Sequence, residues 1–358
     1  MGQSVLIFPA GQPGGDQGRT QALAEGRKVV GASSLVSDPV RGDYDNWEWL
    51  PYISDPAFTA ALATVVRKHD IGVIHAPHFV VWHYLEERLA EIAPGVQLRG
   101  GGATIFDHEK AYRALYARYA ALDRAPFYCP AVGPKPDLSD IVRAALFRQI
   151  DTISGMSSEE KLLALVDILR CAPDGDIVEI GTWWGKSAAM FVMLAHRYDA
   201  GPVLCVDPWA SEALPQGDDI LDAAGARADM DEAFRIFQIN LAPLAHGRLN
   251  YIRAASAGAA ARYGPGLEID SETFGKVRYS GRIAVLHIDG NHTLENADED
   301  MRLWTPHVAP GGWIIFDDYF WVFGDGPKRV GDAFIEREAD RIQFSFVAGK
   351  ALFVQLKA

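Results

Sequence analysis

The sequence predicts an α/β protein of two domains: a C-terminal doubly wound parallel sheet whose last strand is antiparallel, and a smaller N-terminal α/β domain. Three observations carry that prediction. Short apolar runs alternate with helix-patterned stretches along the chain, the order expected of parallel sheets. The 358 residues exceed one typical domain and suit two. The stretch "APFYCPAVGPKPDLS" breaks the alternation with four prolines near residues 126–138. The expected domains are therefore residues 1–135 and 139–358.

In the N-terminal part, "SVLIFPAG", "RKVVGASS" and "IGVIHAP" read as strands. "DPAFTAALATVVRKHD" has helical apolar spacing behind an Asp-Pro start, "VVWHYLEERLAEIAP" is a helix stopped by Pro94, and "DHEKAYRALYARYAALD" is a helix with Asp107 as its expected N-cap. The C-terminal part opens with two helical stretches, "DIVRAALFRQI" and "SEEKLLALVDILRCA". Strand "DIVEIG", helix "KSAAMFVMLAHRY" and strand "PVLCVD" follow, then a polar, Ala-rich loop to about residue 230. Helix "DEAFRIFQINLAPL", strands "LNYIRA" and "IAVLHID", helix "LENADEDMRLWTPHV", strand "GGWIIFDD" and helix "RVGDAFIERE" come next. The end, "IQFSFVAGKALFVQLKA", reads as a hairpin turning at Gly349–Lys350.

Hydrophobic residues make up 49% and charged residues 23%, so a sizeable core is available. A formal net charge of -13 argues against nucleic acid or an anionic membrane as partner. No stretch approaches the roughly 20 apolar residues of a bilayer span, and the apolar run of "MGQSVLIFPAG" is too short for a signal peptide. Cys129, Cys171 and Cys205 fit no disulfide or zinc pattern, so a cytoplasmic protein is expected.

Chemistry concentrates where strands end. "VEIGTWWGKSA" follows a strand and opens a helix, with Gly181 and Gly185 permitting close approach of a ligand to the backbone. The spacing is not G-x-G-x-x-G, so the dinucleotide fingerprint fails. Glu179, just before the turn, suits a ligand bearing positive charge. The next strand ends at Asp207, where ribose hydroxyls are usually held. Further on, "IAVLHID" ends in "GNH" and "GGWIIFDDY" ends in Asp317 and Asp318, so two strands deliver acids to one shared site. Carboxylate oxygens favour hard cations, Mg²⁺, Mn²⁺ or Ca²⁺ over Zn²⁺. Each feature also has a plainer reading: Glu179 as a loop cap, Asp207 as a turn residue, the Asp pair as a solvated strand end, His292 as a structural hydrogen-bond partner. Trp183–Trp184 favour packing over substrate stacking, while Tyr319, Phe320 and Trp321 fit a sugar platform or a lid equally well.

"VEIGTWWGKSA", "VDPW", "HIDGNH", "DMRLWTPHVAPGGWIIFDDY" and "GPKRVGDAF" resemble the class I S-adenosylmethionine-dependent methyltransferases over roughly residues 150–358. Within that superfamily they are similar to the metal-dependent sugar O-methyltransferases of macrolide and aminocoumarin biosynthesis. The resemblance implies a Rossmann-like methyltransferase sheet, with S-adenosylmethionine at Glu179, Gly181, Gly185, Ser187, Asp207, Trp209 and Ser256. It implies a divalent metal at Asp289, Asp317 and Asp318, with Asp289 and His292 catalytic and His292 the base. Some relatives carry a second Asp where this chain has Asn291, so that position supplies no base here. The acceptor implied is a hydroxyl of a sugar or glycosylated metabolite; a catechol or other diol, and a non-catalytic S-adenosylmethionine-binding scaffold, are the alternatives. A homo-oligomer is expected.

"LIFPAG", "GASS", "LPYISDPAF", "IGVIHAPH" and "FDHEKAYRAL" resemble the small domain that precedes the catalytic part of ATP-grasp enzymes. The remaining ATP-grasp machinery is absent, so ATP ligation is not implied. Substrate recognition or oligomerisation is the expected role, and His75, His78 and His83 are expected to be structural or to contact substrate rather than hold a metal.

Overall fold

The computed structural model describes residues 4–101, 105–121 and 135–358, without the side chains of residues 105 and 106. Two compact units form, Met1–Ala114 and Leu115–Ala358. They divide N-terminal of the expected break; residues 122–134, which hold most of the proline-rich stretch, lie outside the described residues.

The first unit contains β1 (Ser4–Ile7), α1 (Gly15–Ala24), β2 (Val29–Ser33), β3 (Asn46–Trp49), α2 (Phe58–His69), β4 (Ile71–Ala76), α3 (Phe79–Ile92), β5 (Gln97–Gly100) and the start of α4 (Ile105–Ala120). Its five strands are all parallel, in the order β3-β2-β1-β4-β5. The predicted strands are the three central ones, which are apolar on both faces. The missed β3 ("NWEW") and β5 ("QLRG") are edge strands with exposed ends and no apolar run. Asp107 sits inside the first turn of α4, two residues past its start, so the expected N-cap is corrected.

The second unit takes the end of α4 and continues with α5 (Asp140–Asp151) and α6 (Glu159–Arg170), capped by Ser139 and Ser158. There follow β6 (Asp176–Ile180), α7 (Lys186–Tyr198), β7 (Val203–Val206), α8 (Asp219–Gly225), α9 (Met230–Ala245), β8 (Leu249–Ile252), α10 (Ser256–Ala260) and a small hairpin, β9 (Glu268–Ser271) with β10 (Gly275–Arg278). The chain closes with β11 (Ile283–Ile288), α11 (Leu294–Trp304), β12 (Val308–Phe316), α12 (Gly326–Arg337), β13 (Ile342–Ala348) and β14 (Ala351–Leu356). Seven strands form one sheet in the order β13-β14-β12-β11-β6-β7-β8, with β14 antiparallel to both neighbours and the other pairs parallel. The doubly wound sheet with an antiparallel finish is therefore present. One sheet face packs Ile177, Val285 and Ile315 against α5, α6, α7 and α9; the other packs Val178, Leu286 and Ile314 against α10, α11 and α12.

The winding reverses between β6 and β11. In open α/β sheets, the crevice beyond the carboxyl ends of the strands at such a reversal is where ligands bind.

Candidate functional site at the carboxyl ends of β6, β11 and β12

Strand alternation places the charges. On the face covered by α6, β6 runs Ile177, Glu179; β11 runs Val285, His287 and then Asp289; β12 runs Ile315 and then Asp317. Each strand is apolar lower down and ionisable at its carboxyl end, always two residues on, on the same face. Parallel register sets His287 directly across from Glu179, and Asp317 N–H donates to Ile288 O at 2.9 Å.

The result is a chain of buried ion pairs. His287 is fully buried; Nδ1 lies 2.9 Å from Glu179 Oε1 and Nε2 lies 3.2 Å from Asp317 Oδ2. Lys161, 2% exposed, reaches down from α6, donates to Asp317 Oδ2, and lies 3.8 Å from Asp289 Oδ2. Burial opposes the charge on His287, but Asp317 and Glu179 outweigh it and raise its pKa to about 9. Burial likewise works against ionised Asp317, yet Lys161 and His287 hold it well below the usual carboxylate range.

A second, outer group stands beside this one. Asp289, His292 and Asp318 converge, with His292 Nε2 3.3 Å from Asp318 Oδ2 and 3.8 Å from Asp289 Oδ1. Both His292 ring nitrogens are buried and make no hydrogen bond. The Trp321 ring lies 4.6 Å from the imidazole, and at Gly326 a Cβ would overlap the His292 carbonyl, so the 319–326 segment folds back onto this histidine. Burial and the neighbouring Asp317 push Asp289 up to about 7, and burial raises Asp318 too. This is the behaviour of an acid cluster short of positive charge. Four carboxylates, Glu179, Asp289, Asp317 and Asp318, gather around Lys161, His287 and His292. The convergence of the Asp289 and Asp318 carboxylate oxygens fits a hard divalent cation. The three acids predicted as ligands are thus brought together but not equivalent: Asp289 and Asp318 face His292, whereas Asp317 is turned inward onto Lys161 and His287.

The residues predicted to bind cofactor have mixed positions. At Gly181 (φ +80°) a Cβ would overlap the Asp289 carbonyl, so the glycine serves backbone-to-backbone approach of the β6 turn to β11. Gly185 (φ +86°) ends the turn as N-cap of α7, and a Cβ there would overlap Leu241. Packing by itself therefore requires both glycines. Glu179 is shut away against His287, with Oε2 buried and unpartnered. The Asp207 carboxylate accepts from the N–H groups of Thr182 (3.0 Å), Trp183 (2.9 Å) and Trp209 (2.7 Å), bracing the glycine turn. Trp209, 1% exposed, packs its ring between Phe234 and Phe237. Ser187 is buried in the first turn of α7, and Ser256 Oγ accepts from Trp304 Nε1 at 2.9 Å. A cleft of about 420 Å³ opens beside β7, lined by Trp209, Ser211, Arg227 and Asp231 among others; the acid cluster lies outside its lining.

Lys161 and His287 escaped the sequence reading, although each left a signal. Lys161 shares a helix face with Leu165 and Ile168, both fully buried, and a charge on an apolar stripe demands a buried partner. His287 interrupts the apolar run "IAVLHI" in the same way. In the first unit, His75 Nε2 lies 3.2 Å from Gly14 O, His78 caps α3 and His83 pairs with Glu86, so the three do not converge.

Residues 178–319 match a family described as a methyltransferase domain. Over 175 residues the chain is 29% identical to the 8-demethyl-8-(2,3-dimethoxy-alpha-L-rhamnosyl)-tetracenomycin-C 4'-O-methyltransferase of Streptomyces olivaceus. That match covers 47% of this chain and 62% of the curated relative's length. Among solved structures, the O-methyltransferase NovP is 20% identical, with 55% of this chain and 80% of that one covered and a TM-score of 0.40. CalS11, a calicheamicin methyltransferase, is 12% identical, with 70% and 93% covered and a TM-score of 0.39. No helix among the described residues is long and apolar enough to cross a membrane. The segment similar to a methyltransferase domain lies within the second unit and runs through the central strands of its doubly wound sheet.

Proposed function

We propose that the chain transfers a methyl group from S-adenosylmethionine to a hydroxyl of a sugar or glycoside, with a divalent cation, Mg²⁺ or else Mn²⁺ or Ca²⁺, as helper. The observation that carries this is the convergence of Asp289, His292 and Asp318 beside the winding reversal of a methyltransferase sheet. The curated relative's name, that of an enzyme methylating a rhamnosyl group, supports the sugar acceptor. Exposed apolar side chains around the acids support a glycoside with an apolar portion. Phe320, Val322 and Phe323 stand on the segment that folds over His292; Ile220 stands near Pro215 and Gln216, which bond to Asn291 and His292.

Asp289 and Asp318 would hold the cation, with Asp317 behind them. When bound, the cation lowers the pKa of an acceptor hydroxyl. His292 Nε2 takes the hydroxyl proton, the oxygen forms its bond to the methyl carbon, and the carbon–sulfur bond breaks, its electrons going to sulfur. Trp321 orients the imidazole. Asp207 braces the turn that leads into α7, the start of α7, without a side-chain cap, faces the methionine end of the donor, and Ser256 stands beside the adenine. The N-terminal unit is assigned acceptor recognition or assembly into a homo-oligomer.

The test is turnover of the full chain with S-adenosylmethionine, Mg²⁺ and a panel of glycosides, nucleotide-sugars and catechols. Glycosides or sugars should be methylated, EDTA should abolish the reaction and Mg²⁺ should restore it. Full activity in EDTA would remove the metal. Turnover of catechols alone would move the acceptor to the alternative diol class, and donor binding without any turnover would favour a scaffold.

A further inference from the structure

The first unit carries an apolar patch that the proposed reaction does not use. Two stretches run off the carboxyl ends of β2 and the edge strand β3, "SSLVS" at 33–37 and "WLPYIS" at 49–54, and neither holds a charged residue. Leu35 is 50% exposed, Val36 86%, Trp49 54% and Tyr52 62%. Single exposed apolar side chains are ordinary; four on two adjoining stretches form a patch on the order of 500 Å², as large as the largest on an ordinary monomer. The patch is built rather than loose. Leu50 N–H donates to Ser33 O at 3.0 Å, Trp49 Nε1 to Ser34 O at 3.2 Å and Ser34 Oγ to Pro51 O at 3.0 Å, so the two stretches are tied together. The indole N–H is satisfied from within, and its ring can be covered without orphaning a donor. The acids at the border are occupied too. Asp38 and Asp55 accept from the N–H groups of Val40 and Ala57, and Glu48 Oε1 lies 2.6 Å from both Lys68 Nζ and His69 Nε2.

We propose that this patch is the contact between two copies of the chain, related by a two-fold axis, with Trp49 and Tyr52 as its anchors. Shape, area and charge select that occupant. The patch is convex, with Val36 standing proud of the surface, whereas a small molecule needs a cleft that covers most of it. Its area is well over half of the roughly 800 Å² that each partner gives to a standard interface. Ser37, Asn46 and Ser54, exposed around it, supply a polar rim. Each copy carries a net charge of -13, so two copies repel except where charge is missing, as it is here. In a two-fold contact the same residues stand on both sides, and a neutral patch meets its own copy without opposing like charges. Aromatic side chains already held by their neighbours lose little entropy when covered. Of the two roles proposed for the first unit this is assembly, and it holds whether or not the chain transfers methyl groups.

The experiment is sedimentation of the full-length chain across a concentration series. The wild type should associate with a Kd of roughly 1 µM or tighter. Val36→Asp and Trp49→Asp each set a charge against its own copy; each should raise the Kd at least about a hundredfold and halve the assembled mass. Val36 is too exposed for its substitution to unfold the unit, and the melting temperature of that variant should stay within a few degrees of wild type. Ile141→Asp, at an exposed apolar site of the second unit, should leave the Kd within a few-fold. Hydrogen exchange on the wild type needs no variant: residues 33–37 and 49–54 should exchange more slowly as concentration rises. A wild type still monomeric at about 100 µM overturns the proposal. So does an assembly that survives both charged variants, or unchanged exchange in the two stretches while the mass doubles. Assembly that loosens as salt rises overturns it as well, because salt screens a contact between charged surfaces and spares an apolar one. None of these readouts involves donor, metal or turnover, so failure here leaves the proposed reaction standing.

Discussion

The two units wind their sheets in the same way and furnish them differently. The first orders its parallel strands β3-β2-β1-β4-β5; the second orders β8-β7-β6-β11-β12 and adds the antiparallel β14 and β13. In each, the first strand is central, followed by a glycine-containing turn whose last residue caps a helix with positive φ: Gly14 at +89° and Gly185 at +86°. Each also sets a histidine on the strand across the reversal. Burial lowers the pKa of His75, whose Nε2 lies against the Gly14 carbonyl. The pKa of His287 is raised to about 9, because two carboxylates overcome a deeper burial than that of His75. Winding supplies a crevice, and the side chains at the strand ends decide what chemistry the crevice can host.

If that contrast is right, the largest effects belong to the outer group of the second unit. His292→Ala should lower the methylation rate by about 10²- to 10⁴-fold while calorimetry shows donor and Mg²⁺ still bound. It should also erase the acidic limb of the pH–rate profile, since the free imidazole is the active form. A variant with wild-type rate and profile would leave His292 structural.

Next comes the glycine turn. Asp207→Ala removes three charge-assisted backbone hydrogen bonds, so donor affinity should fall about 10- to 100-fold. The melting temperature should fall with it, because the brace acts without ligand. Unchanged affinity in calorimetry would take Asp207 out of the site.

A smaller effect concerns Asp300, buried beside Ser256 and raised by that burial to about 6. The folded protein holds this proton more tightly than the unfolded chain does, so stability attributable to Asp300 falls as pH rises from about 4 through 6. Asp300→Asn should melt higher than wild type at pH 8, by up to about 3 kcal/mol of stability, and the two should converge near pH 4. Parallel melting curves across that range would disprove the shift.

The smallest effect on the donor should follow removal of the first unit. Residues 115–358 contain the whole cluster and their own core, so S-adenosylhomocysteine should bind them within about twofold of the full chain. Acceptor use or oligomeric state should change. A soluble truncated chain, fully active and unchanged in assembly, would deny the first unit either role.

Much of this was legible beforehand, for particular reasons. "IAVLHID" and "GGWIIFDD" are central strands, apolar on both faces, so their ends are marked by the abrupt arrival of acids. The strands β3, β5, β9 and β10 escaped notice because they lie at an edge or in a small side hairpin and lack such runs. α1 starts from "GDQGRT", where two glycines and four polar side chains hide the helical period. The packing roles of the glycines are invisible in the sequence for a different reason. Sequence shows that Gly181 and Gly185 are small, but only packed neighbours show that Asp289 and Leu241 are what a side chain would strike.

The sequence by itself determined the α/β class, the antiparallel hairpin at the end, and the acids and histidine at the ends of β11 and β12, because alternation, apolar runs and turn residues are local signals. Tertiary structure alone decided which acid faces which cation. Asp317 and Asp318 are neighbours in sequence, yet the φ of +48° at Asp318 and the strand pleat send one inward to Lys161 and His287 and the other outward to His292. Lys161 lies 156 residues from Asp317 along the chain. No local pattern encodes that meeting; it arises because α6 is pinned across the sheet face on which β6, β11 and β12 present their charges.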